Sequence, residues 1–115
     1  MLRGELYQAN LDPVTGSEQG GTRPVLIVSR NALNASAPIV IVVPLTRRQN
    51  KTRLYPTHVE VRAGEGGLSK DSVVLCEQIR VISKERIGKR IGQFGPQTFS
   101  RVEATLLIAL DLGPV

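Results

Sequence analysis

A single cysteine, no tryptophan, two tyrosines and two phenylalanines occur in this chain, and each scarcity closes off a class of protein. The lone Cys76 allows neither an intrachain disulfide nor a cysteine metal cluster. Its place in the run Ser72-Val73-Val74-Leu75-Cys76 predicts a small buried apolar side chain. Tyr7, Tyr55, Phe94 and Phe99 are too few for the exposed aromatic platform on which some sheets stack RNA bases. A bound nucleic acid would then be held through phosphates and polar base edges. No segment approaches the roughly 18 consecutive apolar residues of a membrane span. No N-terminal stretch joins a basic head, an apolar centre and a small-residue cleavage site. The expectation is a cytoplasmic protein with no membrane association. Internal repeats, linkers and low-complexity tracts are also missing.

What is present is a globular composition. Hydrophobic residues make up 41% of the chain and charged residues 22%, well away from the disordered regime. With 115 residues and 12.5 kDa, residues 1–115 are expected to form one domain, small enough for oligomerisation to help its stability. Fifteen Lys and Arg against ten Asp and Glu give a net charge of +5 and a pI near 10.0. That balance favours a polyanionic partner, either nucleic acid or an acidic protein segment.

Apolar periodicity predicts five strands and then a helix. Strands are expected over Glu5–Leu11, Pro24–Ser29, Pro38–Leu45 and Thr57–Val61, the third β-branched almost throughout. Runs such as Val25-Leu26-Ile27-Val28 do not alternate, which suggests strands buried on both faces. Alternation in Thr57-His58-Val59-Glu60-Val61 sets His58 and Glu60 on the solvent side. Ser72–Ile82 reads as one further strand interrupted by Glu77, Gln78 and Arg80, with Ala63–Gly67 as the preceding turn. From Pro96 the period changes: Phe99, Val102, Leu106 and Leu110 recur every three to four residues, with Pro96 in the first turn and Gly113-Pro114 as the stop. Five strands followed by a C-terminal helix make a small barrel-like α+β domain, mainly β.

The chemistry-bearing residues concentrate around one loop. Asp12-Pro13-Val14-Thr15-Gly16-Ser17-Glu18-Gln19-Gly20-Gly21-Thr22 delivers Arg23 to the foot of a strand that starts at Pro24. An Arg fixed at a loop–strand junction suits phosphate, because guanidinium offers planar bidentate donors and keeps its charge. After Thr46, Arg47-Arg48-Gln49-Asn50-Lys51-Thr52-Arg53 sets four cations in seven residues. Such a run is either a solvated loop or a salt-sensitive phosphate-binding surface.

Several motifs in order give the chain its resemblance to a family. These are Arg3-Gly4-Glu5-Leu6, Asp12-Pro13 with Gly16-Ser17-Glu18-Gln19-Gly20, Arg23-Pro24-Val25-Leu26 and Pro44-Leu45-Thr46. Pro56-Thr57-His58-Val59, Gly67-Leu68 with Asp71-Ser72, and Glu77-Gln78-Ile79-Arg80 follow. With them the chain resembles the MazF/PemK toxins of bacterial toxin-antitoxin pairs. The resemblance implies an SH3-like barrel of the MazF/PemK/CcdB toxin type, a homodimer, and cleavage of single-stranded RNA at short sequences. It further implies no metal or other cofactor, a 2′,3′-cyclic phosphate and a 5′-hydroxyl as product ends, and an antitoxin whose acidic, flexible tail occupies the RNA groove. It assigns catalysis to Arg23 and Thr46.

Cyclisation takes its nucleophile from the RNA 2′-hydroxyl, so the protein has only to align the attack, disperse phosphorane charge and move protons. Arg23 suits the charge role and Thr46 that of a hydroxyl donor to the same phosphate. The base stays open: Arg, with a pKa above about 12, is a poor one, and His58 is expected to face solvent. Glu18 either structures its loop or takes part in catalysis. Gln78 either reads a base edge or is a satisfied polar residue at a seam. Arg80 contacts phosphate or pairs with Glu77 or another carboxylate. Ser17 and Gln19 are loop contacts to RNA, and Arg47 and Arg48 contacts to its backbone.

Two other classes compete. A toxin of the same fold that binds DNA gyrase without catalysis would present apolar and aromatic residues near the chain's end, whereas this one ends Asp111-Leu112-Gly113-Pro114-Val115. A noncatalytic nucleic-acid module would suit the +5 charge but would have no use for Arg23 paired with Thr46.

Overall fold

The structure is a computed structural model and describes residues 1–112. Its strands are β1 (Glu5–Asn10), β2 (Thr22–Ile27), β3 (Ile39–Arg47), β4 (His58–Val61), β5 (Ser72–Leu75), β6 (Arg80–Ser83) and β7 (Ile87–Gln93), with helices α1 (Asn31–Ser36) and α2 (Pro96–Leu110). All strand pairs are antiparallel, in the order β4-β5-β3-β2-β1-β7, and β6 pairs with β3.

The long strand β3 is the corner of the sheet. Its first half, Ile39–Val42, pairs with β6, and its last residues, Leu45–Arg47, pair with β5. Both faces of its central part are covered, as the unalternating runs predict. Leu6, Leu26, Val43, Leu45, Val74 and Val102 belong to one core cluster; Leu11, Val25, Ile27, Val40, Val42 and Ile82 belong to a second on the other face. Burial on this scale supplies most of the stability of so small a domain.

The predicted strands and the C-terminal helix are present, with three differences. Ser72–Ile82 is two strands separated by a 3-10 turn over Cys76–Gln78, so the polar residues that interrupt the pattern mark a real break. β7 is an unpredicted strand: its sequence Ile-Gly-Lys-Arg-Ile-Gly-Gln is poor in β-formers, and it forms because β1 offers a paired edge. Gly92 in this strand and Gly67 in the turn packed against it also have steric reasons. A Cβ on Gly92 would lie 2.2 Å from the Gly66 carbonyl oxygen, and one on Gly67 would lie 2.4 Å from that of Ile91. The third difference is α1, too short for a periodic signal.

α2 turns Val102 into the first cluster, with Phe99, Leu106 and Ala109 packed beside it, while Leu107, Ile108 and Leu110 are exposed. Leu110 is thus not on the inward stripe its spacing suggested. The helix ends with Asp111 in the left-handed conformation (φ 55°); the expected Gly113-Pro114 stop lies outside the described residues. Arg3 ties the N-terminus to this helix through an ion pair with Glu103 at 3.0 Å and by lying 4.6 Å over the Phe99 ring. Among the described residues, no helix is long and apolar enough to cross a membrane.

Candidate functional site

The site sits where β2 and β3 part. Their ladder pairs Ile27 with Val42, Leu26 with Val43 and Val25 with Pro44, and stops there. Pro24 has no N–H to give the Leu45 carbonyl and so cannot continue it. The same register, carried two residues further, sets Arg23 opposite Thr46. Between the two strand ends lies a cleft of about 340 Å³ whose walls include Thr22, Arg23, Thr46, Arg47, Ser69 and Lys70.

Arg23 is half-buried and held at two points. Its Nε donates to the Gly20 carbonyl at 2.7 Å, and its Nη1 donates across the gap to the Leu45 carbonyl at 3.3 Å. Thr46, only 6% exposed, accepts a hydrogen bond at Oγ1 from Asn50 Nδ2 at 3.3 Å. The arrangement presents a fixed cation and a fixed hydroxyl to one opening, which is what a phosphate diester needs.

The loop before Arg23 is pinned from a distant part of the chain. Gln78 Oε1 accepts from the Gln19 N–H at 3.2 Å, and its Nε2 donates to the Ser17 carbonyl at 3.3 Å. The Gln78 amide is thus engaged with the loop backbone. Glu18 structures the same loop, its carboxylate accepting from the Thr15 N–H at 2.7 Å. Ser17, Gln19 and Gln78 are therefore brought together beside the loop that carries the Gly20 carbonyl to Arg23.

Of the cations, Arg47 lines the cleft. Arg48 turns away and holds the 3-10 turn Arg48–Asn50: it pairs with Glu60 at 3.0 Å and donates to the Lys51 carbonyl. Arg80 donates to the Leu11 carbonyl at 3.4 Å and is not the partner of Glu77. Residues not singled out in the sequence also line the cleft: Gln8, Gln49, Asn50, Ser69 and Lys70. Gln8 is there because it pairs with Pro24 in the β1–β2 ladder. Lys70 lies between the Gly67-Leu68 and Asp71-Ser72 motifs, the one signal that could have pointed to it.

Comparison with known proteins settles the family. Residues 2–110 match the model of the PemK-like, MazF-like toxin of type II toxin-antitoxin systems. The chain belongs to this family. The curated endoribonuclease EndoA of Bacillus subtilis (strain 168) is 44% identical over 110 residues, which is 96% of this chain and 94% of that protein. MazF of Deinococcus radiodurans superposes with a TM-score of 0.82 at 28% identity over 96% of each chain. An endoribonuclease from a mycobacterial species, solved with its cognate antitoxin, superposes with a TM-score of 0.81 at 29% identity, covering 100% of this chain and 99% of that one. The fold class expected from the sequence is the one this MazF/PemK-type toxin has.

The toxin's single histidine is not at its cleft. His58, expected to face solvent, has a side chain only 1% exposed. Its Nδ1 accepts from the Tyr55 N–H at 3.1 Å, its Nε2 meets Glu77 at 3.1 Å, and Thr57 donates to the same carboxylate at 3.0 Å. Strand alternation failed here because His58 opens β4 and faces the 3-10 turn of Cys76–Gln78 rather than water. Cys76 on that turn is fully buried, as expected; burial first, and the Glu77 carboxylate second, push its thiol up to about 12.

Proposed function

We propose that this endoribonuclease toxin cuts single-stranded RNA at short sequences without a metal ion, leaving a 2′,3′-cyclic phosphate and a 5′-hydroxyl. The 2′-hydroxyl attacks the adjacent phosphorus as its proton passes to water, and the 5′-oxygen of the next nucleotide leaves and takes a proton from water to become the 5′-hydroxyl. Arg23 neutralises the charge that grows on the non-bridging oxygens, and Thr46 donates to one of them. The observation that carries this reading is the placing of Arg23 and Thr46 on facing strand ends of one cleft. Among the described residues, no carboxylate or imidazole lines that cleft, so catalysis leans on alignment and charge rather than on a strong base. Ser17, Glu18, Gln19 and Gln78 shape the loop over the RNA, and Arg47 and Lys70 hold its backbone.

The cleft's cations equally suit the acidic tail of a cognate antitoxin, in line with the complex solved for the mycobacterial endoribonuclease. Residues 1–115 act as a single domain in a cytoplasmic homodimer; the exposed Leu107 and Ile108 on α2 favour a covered surface. Light scattering that gives a monomer at micromolar concentration would remove the dimer.

The direct test of the activity is incubation with a long single-stranded RNA in EDTA and mapping of the cut ends. Cuts at a recurring short sequence with 5′-hydroxyl ends are expected. No cut on RNA of varied sequence would overturn the reading.

A further inference from the structure

We infer that Asn50 is a positioning residue whose amide turns the Thr46 hydroxyl into a hydrogen-bond donor aimed at the scissile phosphate; this rests on the role given to Thr46 above. A hydroxyl has one proton and two acceptor lone pairs. Asn50 Nδ2 donates to Thr46 Oγ1 at 3.3 Å and so occupies an acceptor site. The hydroxyl proton then has to point elsewhere, and for a side chain on the cleft wall the phosphate oxygen is the acceptor on offer. The amide also polarises the O–H bond, which strengthens its donation.

The turn that carries Asn50 is built to hold it still. The Arg48 N–H donates to the Asp71 carbonyl at 2.8 Å, the Lys51 N–H closes the turn on the Arg48 carbonyl at 3.0 Å, and the Arg48 side chain clasps both Glu60 and the Lys51 carbonyl. A cation one residue beyond Arg47 is thereby spent on the turn's geometry rather than offered to RNA. A carboxamide on a clasped turn, bonded to a side chain on the cleft wall, is the arrangement that fixes a rotor before substrate arrives.

The isosteric Asn50→Asp change reverses the polarity of the contact, because a carboxylate accepts the Thr46 proton and turns it inward. Single-turnover cleavage at saturating RNA, compared across Asn50→Asp, Asn50→Ala and Thr46→Val, tests this. Affinity for the same RNA with a 2′-deoxy nucleotide at the cut site is measured at several salt concentrations. Asn50→Asp is expected to lower kcat on the order of 10²-fold, close to Thr46→Val. Asn50→Ala, which leaves the hydroxyl free to turn, should lower it about fivefold. The affinity penalty of the added charge should fade at high salt.

Wild-type kcat in Asn50→Asp overturns the inference while leaving the proposed function intact. Equal losses in Asn50→Asp and Asn50→Ala, with reduced folded signal in both, overturn it in favour of a merely structural asparagine. Wild-type kcat in Thr46→Val removes the role of Thr46 and the inference together.

Discussion

The β2–β3 ladder ends at Val25 and Pro44, and its register sets Arg23 opposite Thr46 across the gap that opens at Pro24. The guanidinium bridges that gap to the Leu45 carbonyl and anchors on the Gly20 carbonyl. Arg23 and Thr46 therefore belong to strand ends of the sheet, and their substitutions should separate chemistry from folding.

Gln78 holds the loop by two hydrogen bonds to residues 59 and 61 positions away. Gln78→Ala should lower stability by about 1 kcal/mol and raise KM through a looser loop, with the cleavage sequence unchanged. Mapping the cut sites of the variant checks this. A shifted recognition sequence would restore the base-reading role.

The His58–Glu77–Thr57 cluster lies outside the cleft, so His58→Ala should destabilise without slowing chemistry. Loss of a buried partner costs about 1–3 kcal/mol, visible as a Tm drop in thermal unfolding. A kcat loss at saturating RNA, measured well below that Tm, would instead make His58 part of the reaction.

The Cys76 thiol ties stability to alkaline pH. In the fold it ionises only near 12, against 9.0 for a free thiol. The protonated form is thus favoured by folding; its contribution is full below about pH 9 and is lost as pH rises towards 12. Native protein should resist thiol reagents at pH 8 and react once unfolded in guanidinium. Rapid labelling of the native state would show that the buried site opens.

Arg47, Lys51 and Lys70 should carry the salt dependence of RNA binding, while Arg48 is committed to Glu60. Neutralising the first three should lower the slope of log affinity against log salt by about 0.7 for each phosphate contact removed. An unchanged slope would make these residues a solvated surface.

Much of this was legible in the sequence where the signal is local. The β-branched run of β3, the helical period after Pro96 and the loop–strand junction at Arg23 each carry their structure in consecutive residues. The unread parts depend on partners far along the chain. β7 needs the edge of β1, His58 is buried because Glu77 lies 19 residues on, and Gln78 finds its loop only once β5 and β2 are in one sheet. Gln8 reaches the cleft by topology alone.

Arg23 is central as a forked, anchored phosphate ligand. Arg23→Lys keeps the charge but cannot reproduce the pair of anchoring bonds. Single-turnover RNA cleavage in EDTA by wild type and Arg23→Lys, with circular dichroism confirming the fold of both, is the most direct test. A rate lower by at least about 10²-fold in a folded variant is the predicted result. Cleavage by Arg23→Lys at the wild-type rate would contradict the account.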